Sequence, residues 1–220
     1  MTKKAFIFDL DGVIVDTAKF HYLAWKELAN ELGFDFTEEQ NEDLKGVSRV
    51  ASLEILLNIG KIKLSNERKE ELLKEKNEQY LGYIAKMGQD EILPGIKNIL
   101  QYLKGNEIPF SLGSTSKNAR LILRILGLYD LFDAIVDGND VSSAKPDPEV
   151  FLIAAKKLNK DPHDCIVIED AQAGIQAAHN ANMISIGIGD KKVLNEARFV
   201  LNDTSKLTVD FIKELIDKKY

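Results

Sequence analysis

The chain has 220 residues, 45% of them hydrophobic and 29% charged, with a formal net charge of −6, which allows one large domain or a core domain with a smaller insert. That acidic balance argues against nucleic acid as a partner, because phosphate backbones are bound by cationic surface, and no run approaches the roughly 18 apolar residues of a membrane span. The single Cys165 excludes an intramolecular disulfide, which suits a cytoplasmic protein.

The start, Met1-Thr2-Lys3-Lys4, leads straight into an apolar run, so no cleaved leader is expected. Residues 5–8 read as a strand buried on both faces of a parallel sheet. The run stops on Asp9-Leu10-Asp11-Gly12, where Gly12 permits a sharp turn. Two acids at the end of a buried strand repel each other, so a metal, a lysine or a reaction must compensate them. Residues 20–32, 50–57 and 66–84 then show helical periodicity without strands, which reads as a helical insert. The expected division is a helical cap domain over 16–87 and a catalytic core over 1–15 and 88–220.

Downstream the pattern alternates. Pro94-Gly95 opens a helix reaching Leu103, and residues 109–113 form a strand. Residues 118–126 are helical, 134–136 a strand, 148–158 a helix, 165–168 a strand, 171–181 a helix and 184–186 a strand. This rhythm predicts an α/β fold: a Rossmann-like parallel sheet with helices on both faces and right-handed crossovers. Ligands bind beyond the carboxyl ends of such strands. Cys165, inside an apolar run, reads as a buried structural thiol.

Polar residues gather at those strand ends. Ser114-Thr115-Ser116-Lys117-Asn118 precedes a helix, and hydroxyls with free N–H groups there either bind an anion or simply cap the helix through Ser116. Lys145-Pro146 lies at a second strand-to-helix connection, and Glu169-Asp170 ends a third strand as Asp9 and Asp11 end the first. Asp9, Asp11 and Asp170 are balanced by Lys145 and one Mg²⁺. Without that cation each carboxylate–phosphate contact at 4 Å costs roughly 4 kcal/mol at an effective dielectric near 20. Oxygen donors suit Mg²⁺. A calcium EF-hand loop is excluded, since Gly12 comes too early and Phe20 stands where the closing glutamate belongs. A P-loop and a serine elbow are absent, and Gly187-Ile188-Gly189 lacks a third glycine. A carboxylate nucleophile forming an aspartyl-phosphate remains.

Asp9-Leu10-Asp11-Gly12, Ser114, Lys145-Pro146 and Glu169-Asp170 resemble, in order and at strand ends, the four motifs of the haloacid dehalogenase superfamily. The insert after the first motif resembles its helical-cap subclass. Within it, Asp16-Thr17, His21, Trp25, Leu44 to Arg49, Ser52, Lys76-Asn77, Ser114 to Asn118 and Ala171 to Ile175 carry a likeness to sugar-phosphate mutases. The resemblance implies that Asp9 is the nucleophile and that Asp11 is the general acid/base, also a Mg²⁺ ligand through its carbonyl. Glu169 and Asp170 complete the metal site with Asp9. Ser114 and Lys145 hold the transferring phosphate; Arg49, Ser116, Lys117 and Asn118 grip the distal one. Thr17, His21, Trp25, Lys45, Gly46, Ser52 and Lys76 complete the substrate-binding set.

The cap decides between activities. A phosphatase admits water to the aspartyl-phosphate, whereas a mutase excludes it and holds a bisphosphorylated sugar by both ends. Arg49 offers a bidentate distal grip. Lys76 lies four residues after Leu72 and four before Tyr80, on one apolar helical face; it either snorkels to water or lines a closed cleft. His21 and Trp25, four apart, share a face, and His21 is either a packed histidine or a partner for Asp11 on cap closure. The resemblance implies interconversion of β-glucose 1-phosphate and glucose 6-phosphate, with Mg²⁺ as cofactor and β-glucose 1,6-bisphosphate as activator and intermediate. The alternatives are a Mg-dependent sugar-phosphate or small-molecule phosphatase of the same superfamily and a receiver-like phosphoacceptor module. A monomer is expected, and proline makes a cis Lys145–Pro146 bond accessible.

Overall fold

The computed structural model describes residues 4–44 and 47–217. They divide into two compact units: one holds the described residues up to Asp16 and from Gly88 onward, the other Thr17–Met87.

The first unit is built on a parallel sheet. Its strands are β1 (Ala5–Phe8), β2 (Phe110–Gly113), β3 (Ala134–Val136), β4 (Cys165–Glu169), β5 (Ile184–Ile188) and β6 (Phe199–Leu201). Their order is β3-β2-β1-β4-β5-β6, and every neighbouring pair is parallel. The chain steps outward from β1 to β3 and then returns to β4. This reversal leaves a crevice at the carboxyl end of β1, flanked by β2 and β4.

Helices α5 (Ile96–Gly105), α6 (Ala119–Ile125), α7 (Glu149–Lys157), α8 (Gln172–Asn180) and α9 (Val209–Asp217) accompany the strands. Alternation along the strands sends Ala5, Ile7, Cys165 and Val167 to one face, where Val150, Phe151 and Ala154 of α7 and Ala177 and Ala178 of α8 cover them. On the other face Phe8 meets Phe110 edge-on, with centroids 6.2 Å apart. Cys165 is a buried free thiol, pushed up to about 12 by burial and by Asp164.

Strand β6 and helix α9 extend the architecture expected from sequence. β6 is three residues long and only half-buried, too short to display a period. Phe211 of α9 secures it, its ring edge-on to Phe199 at 5.8 Å.

The second unit is helical: α1 (Ala18–Glu31), α2 (Glu38–Glu42), α3 (Arg49–Ile59) and α4 (Asn66–Ile84). Hydroxyl residues set its helix starts. Thr37 and Gln40 form a capping box at α2, and the Ser48 and Ser65 hydroxyls accept the Ala51 and Arg68 amides at 3.3 Å. Trp25, Leu28, Phe36, Leu53, Leu56 and Leu72 form its core. No described helix is long and apolar enough to cross a membrane.

Candidate active site

Sheet register brings the acids together. Phe8 pairs with Ile168, and the Asp9 amide still donates to the Ile168 carbonyl at 3.0 Å. One step further stand Asp9 and Glu169, side by side at the strand ends. Lys145 joins them, its ammonium 2.5 Å from Asp9 Oδ1 and 2.5 Å from Glu169 Oε1 and over the Phe151 ring at 4.9 Å. Lys145, Asp9 and Glu169 are all buried. Burial pulls the Lys145 ammonium down, but Asp9 and Glu169 outweigh it and hold the group above its ordinary range.

Two clamps fix the loop that delivers this lysine. The Glu149 carboxylate, in the first turn of α7, accepts the amides of Ser142 and Ser143, each at 2.8 Å. On the far side Asn180 Nδ2 donates to the Pro146 carbonyl at 3.0 Å, and the Lys145–Pro146 bond is cis. Sequence reasoning passed over Glu149. Its signal was an acid in a helical first turn four residues after a motif lysine.

Asp9, Glu169 and Asp170 each present an oxygen within 4.8 Å of the others. Glycines make room for this crowding. A Cβ at Gly12, where φ is +71°, would overlap the Asp170 carboxylate, and a Cβ at Gly174 would overlap that of Glu169. Burial raises Asp9 to about 6, with Lys145 opposing. Asp11, in the turn closed by the Gly12 amide on the Val15 carbonyl, is pushed up to about 8 by burial and the charge of Asp9. Asp170 is raised by burial and by Glu169, Asp9 and Asp11. The sequence-level charge balance omitted Glu169, which takes half of Lys145. Four acids against one ammonium leave negative charge in excess, and three carboxylates in reach of one point are a hard oxygen donor set. These residues fit a divalent cation such as Mg²⁺.

Ser114 follows β2, and its amide donates to the Val136 carbonyl at 3.1 Å. Its hydroxyl accepts the Ser116 amide at 3.1 Å, and the Ser116 hydroxyl accepts that of Asn118 at 3.4 Å. The two serines thus fold the loop rather than cap α6, whose N-cap residue Asn118 makes no side-chain capping bond. Lys117 is exposed at the loop tip.

The helical unit assembles a second cluster. Lys76 is 1% exposed, which overturns the snorkelling alternative. Its ammonium lies 2.8 Å from His21 Nδ1, 4.6 Å from the Trp25 ring centre and 4.7 Å from that of Tyr80. Tyr80 also stacks on His21 at 4.0 Å. Burial, Lys76 and Arg49 hold His21 well below its ordinary range. Arg49, half-buried, is the first residue of α3; Ser52 is buried one turn further along, and Thr17 is buried at the head of α1. Lys45 and Gly46 lie outside the described residues.

Residues 3–182 match the model of the haloacid dehalogenase-like hydrolases. The chain is 45% identical over 213 residues to a β-phosphoglucomutase of Bacillus subtilis, covering 96% of this chain and 94% of that protein. It is 30% identical to a phosphorylated carbohydrates phosphatase of Thermotoga maritima, covering 97% and 100%. The crystal structure of a β-phosphoglucomutase from Clostridium difficile superposes with a TM-score of 0.91 at 46% identity, covering 97% of this chain and 96% of that one.

Proposed function

We propose the reaction from one premise: the chain belongs to the haloacid dehalogenase-like hydrolase family. On that footing it is a Mg-dependent phosphotransferase that interconverts β-D-glucose 1-phosphate and glucose 6-phosphate. The near full-length likeness to two β-phosphoglucomutases supports this substrate pair.

Asp9 is the nucleophile. Its carboxylate oxygen attacks phosphorus, the bond from phosphorus to the sugar oxygen breaks, and an aspartyl-phosphate forms. Asp11 gives its proton to the departing sugar oxygen and takes one back from the hydroxyl that next attacks the aspartyl-phosphate. Burial and the charge of Asp9 both favour the protonated form of Asp11. Ser114 and Lys145 orient the transferring phosphoryl group; Lys145 also keeps Asp9 aimed through its bond to the carboxylate. Asp9, Glu169, Asp170 and the Asp11 carbonyl would hold Mg²⁺, which supplies positive charge to the acids and to the phosphoryl oxygens.

β-Glucose 1,6-bisphosphate is the intermediate and activator. Arg49, Ser116, Lys117 and Asn118 grip its distal phosphate, while Thr17, His21, Trp25, Lys45, Gly46, Ser52 and Lys76 bind the sugar phosphate around it. The likeness to two β-phosphoglucomutases, near full length and at higher identity than that to the phosphatase, favours a mutase over a phosphatase. Lys76, buried against His21, Trp25 and Tyr80, is placed in the substrate-binding set on that basis.

The test is a coupled assay across hexose 1-phosphates of both anomers, with Mg²⁺ and with or without the bisphosphate. Bisphosphate-primed formation of glucose 6-phosphate from the β anomer is expected. Rapid release of free phosphate without isomerisation would hand the site to the phosphatase alternative.

A further inference from the structure

The turn after β3, residues 137–140, is fastened to the loop at 114–118. The Gly138 amide donates to the Ser116 carbonyl at 3.2 Å, and Asn139 Nδ2 donates to the Lys117 carbonyl at 3.1 Å. A Cβ at Gly138 would overlap the Thr115 carbonyl oxygen, so the two backbones are in direct contact.

The turn is itself braced from within. The Asp137 amide donates to Asp140 Oδ2 at 2.9 Å, the Asn139 amide to Asp137 Oδ1 at 2.8 Å and the Asp140 amide to the Asp137 carbonyl at 2.9 Å. Arg120, in the first turn of α6, closes the circuit. Its guanidinium pairs with the Asp137 carboxylate and donates to Asp140 Oδ2 at 2.7 Å and to the Ile135 carbonyl at 3.2 Å. The Asp137 side chain is 1% exposed. A carboxylate so deeply buried is retained only with a strong partner, and the fork of Arg120 supplies one. None of these side chains belongs to the reaction described above.

The bonds also have a direction. In a planar trans peptide the carbonyl and the following N–H point opposite ways. Tying the Ser116 and Lys117 carbonyls to the 137–140 turn therefore sends the amides of Lys117 and Asn118 away from it, and that of Asn118 reaches the Ser116 hydroxyl. Apolar packing would hold the loop in place. Bonds to successive carbonyls hold its rotation as well, which decides where an anion meets N–H and hydroxyl groups.

We propose that Arg120, Asp137, Asn139 and Asp140 are positioning residues for the distal-phosphate grip, acting through Ser116 and Lys117 without touching substrate. This rests on the reading of residues 116–118 as that grip. Asn139 is exposed, so Asn139→Ala removes one tether and leaves the Arg120–Asp137 pair in place. The concentration of β-glucose 1,6-bisphosphate needed for half-maximal mutase activation should rise about fivefold, a typical effect of one lost hydrogen bond. Hydrolysis of acetyl phosphate, which has no distal phosphate, should stay within about twofold of wild type. Asn139→Asp, of the same shape but with no donor, should lose at least as much. An unchanged bisphosphate requirement, or equal losses on both substrates, overturns the inference while wild-type mutase turnover stands. A wild-type protein indifferent to the bisphosphate overturns the parent reading and takes this inference with it.

Discussion

The Lys76 ammonium lies 2.8 Å from His21 Nδ1, and this contact fixes the state of the imidazole. An ammonium donates and never accepts, so Nδ1 must be the acceptor and the ring proton sits on Nε2. Burial, Lys76 and Arg49 all disfavour a second proton. His21 is thus a neutral ring with one donor, held flat against Tyr80.

A pH dependence of stability follows. The folded-state value of His21 lies below the unfolded value of about 6.5, so the unfolded chain binds the extra proton first as pH falls. The contribution is fully present above about pH 6.5 and declines below it, by at most about 1.4 kcal/mol per pH unit. Asp9, Asp11 and Asp170, raised in the folded state, pull the other way, so the His21 share is read as a difference: between pH 7 and pH 5.5, urea denaturation of His21→Asn should show a smaller loss of stability, or a larger gain, than the wild type. An identical pH slope in the variant would assign the titration elsewhere.

Acid crowding predicts opposite effects of one substitution in the two metal conditions. Asp170 is raised by burial and by three neighbouring acids, so Asp170→Asn relieves repulsion and should raise the melting temperature in the presence of EDTA. With Mg²⁺ near a hundred times its Kd the wild type should gain about 2.7 kcal/mol, and the variant should gain little. Equal Mg²⁺ shifts in both proteins would remove Asp170 from the metal site. EDTA should abolish turnover of the wild type.

Asp9→Asn removes the proposed nucleophile and should lower phosphoryl transfer at least a thousandfold, about the least expected for such a loss. Arg49→Ala should weaken use of the bisphosphate about tenfold or more while leaving acetyl phosphate hydrolysis nearly intact. Retained turnover in the first variant, or parallel losses in the second, contradicts the assigned roles.

Ser111 carries a cost unrelated to catalysis. It is fully buried in β2, and its hydroxyl has no hydrogen-bond partner. Ser111→Ala should therefore be neutral or stabilising by about 1 kcal/mol, read from the denaturation midpoint with unchanged kcat. A clear loss of stability would mean that the hydroxyl is satisfied.

The parallel sheet and its acidic strand ends were legible because a buried strand must be apolar and must stop where a charge appears. Asp9, Ser114 and Glu169 stand at the ends of β1, β2 and β4, and Lys145 lies in the connection from β3 to α7. The sharing of Lys145 between Asp9 and Glu169 was not legible, since it depends on register between strands some 160 residues apart in sequence. Nor was the space cleared by Gly174, which reads on paper as one small residue in a helix. Periodicity put Lys76 on an apolar face of α4 but gave no sign that Trp25 and His21 of α1 would receive it. Lys45 and Gly46 remain known only from their place in the sequence.

Strand β1 pairs with β2 and β4, at registers such as Phe6 with Phe110 and Ala5 with Cys165, although residues 17–87 form a separate compact unit between them. The helical unit closes through nearby contacts and suits rapid, early folding, whereas the middle of the sheet waits for remote partners. On a ribosome, Asp9 is made 136 residues before Lys145 and stays without it and Glu169 until both have emerged. The proposed nucleophile is therefore synthesised before its strand-end partners and is among the last to acquire its setting, a schedule under which a chain that stops short of them carries no working phosphotransferase.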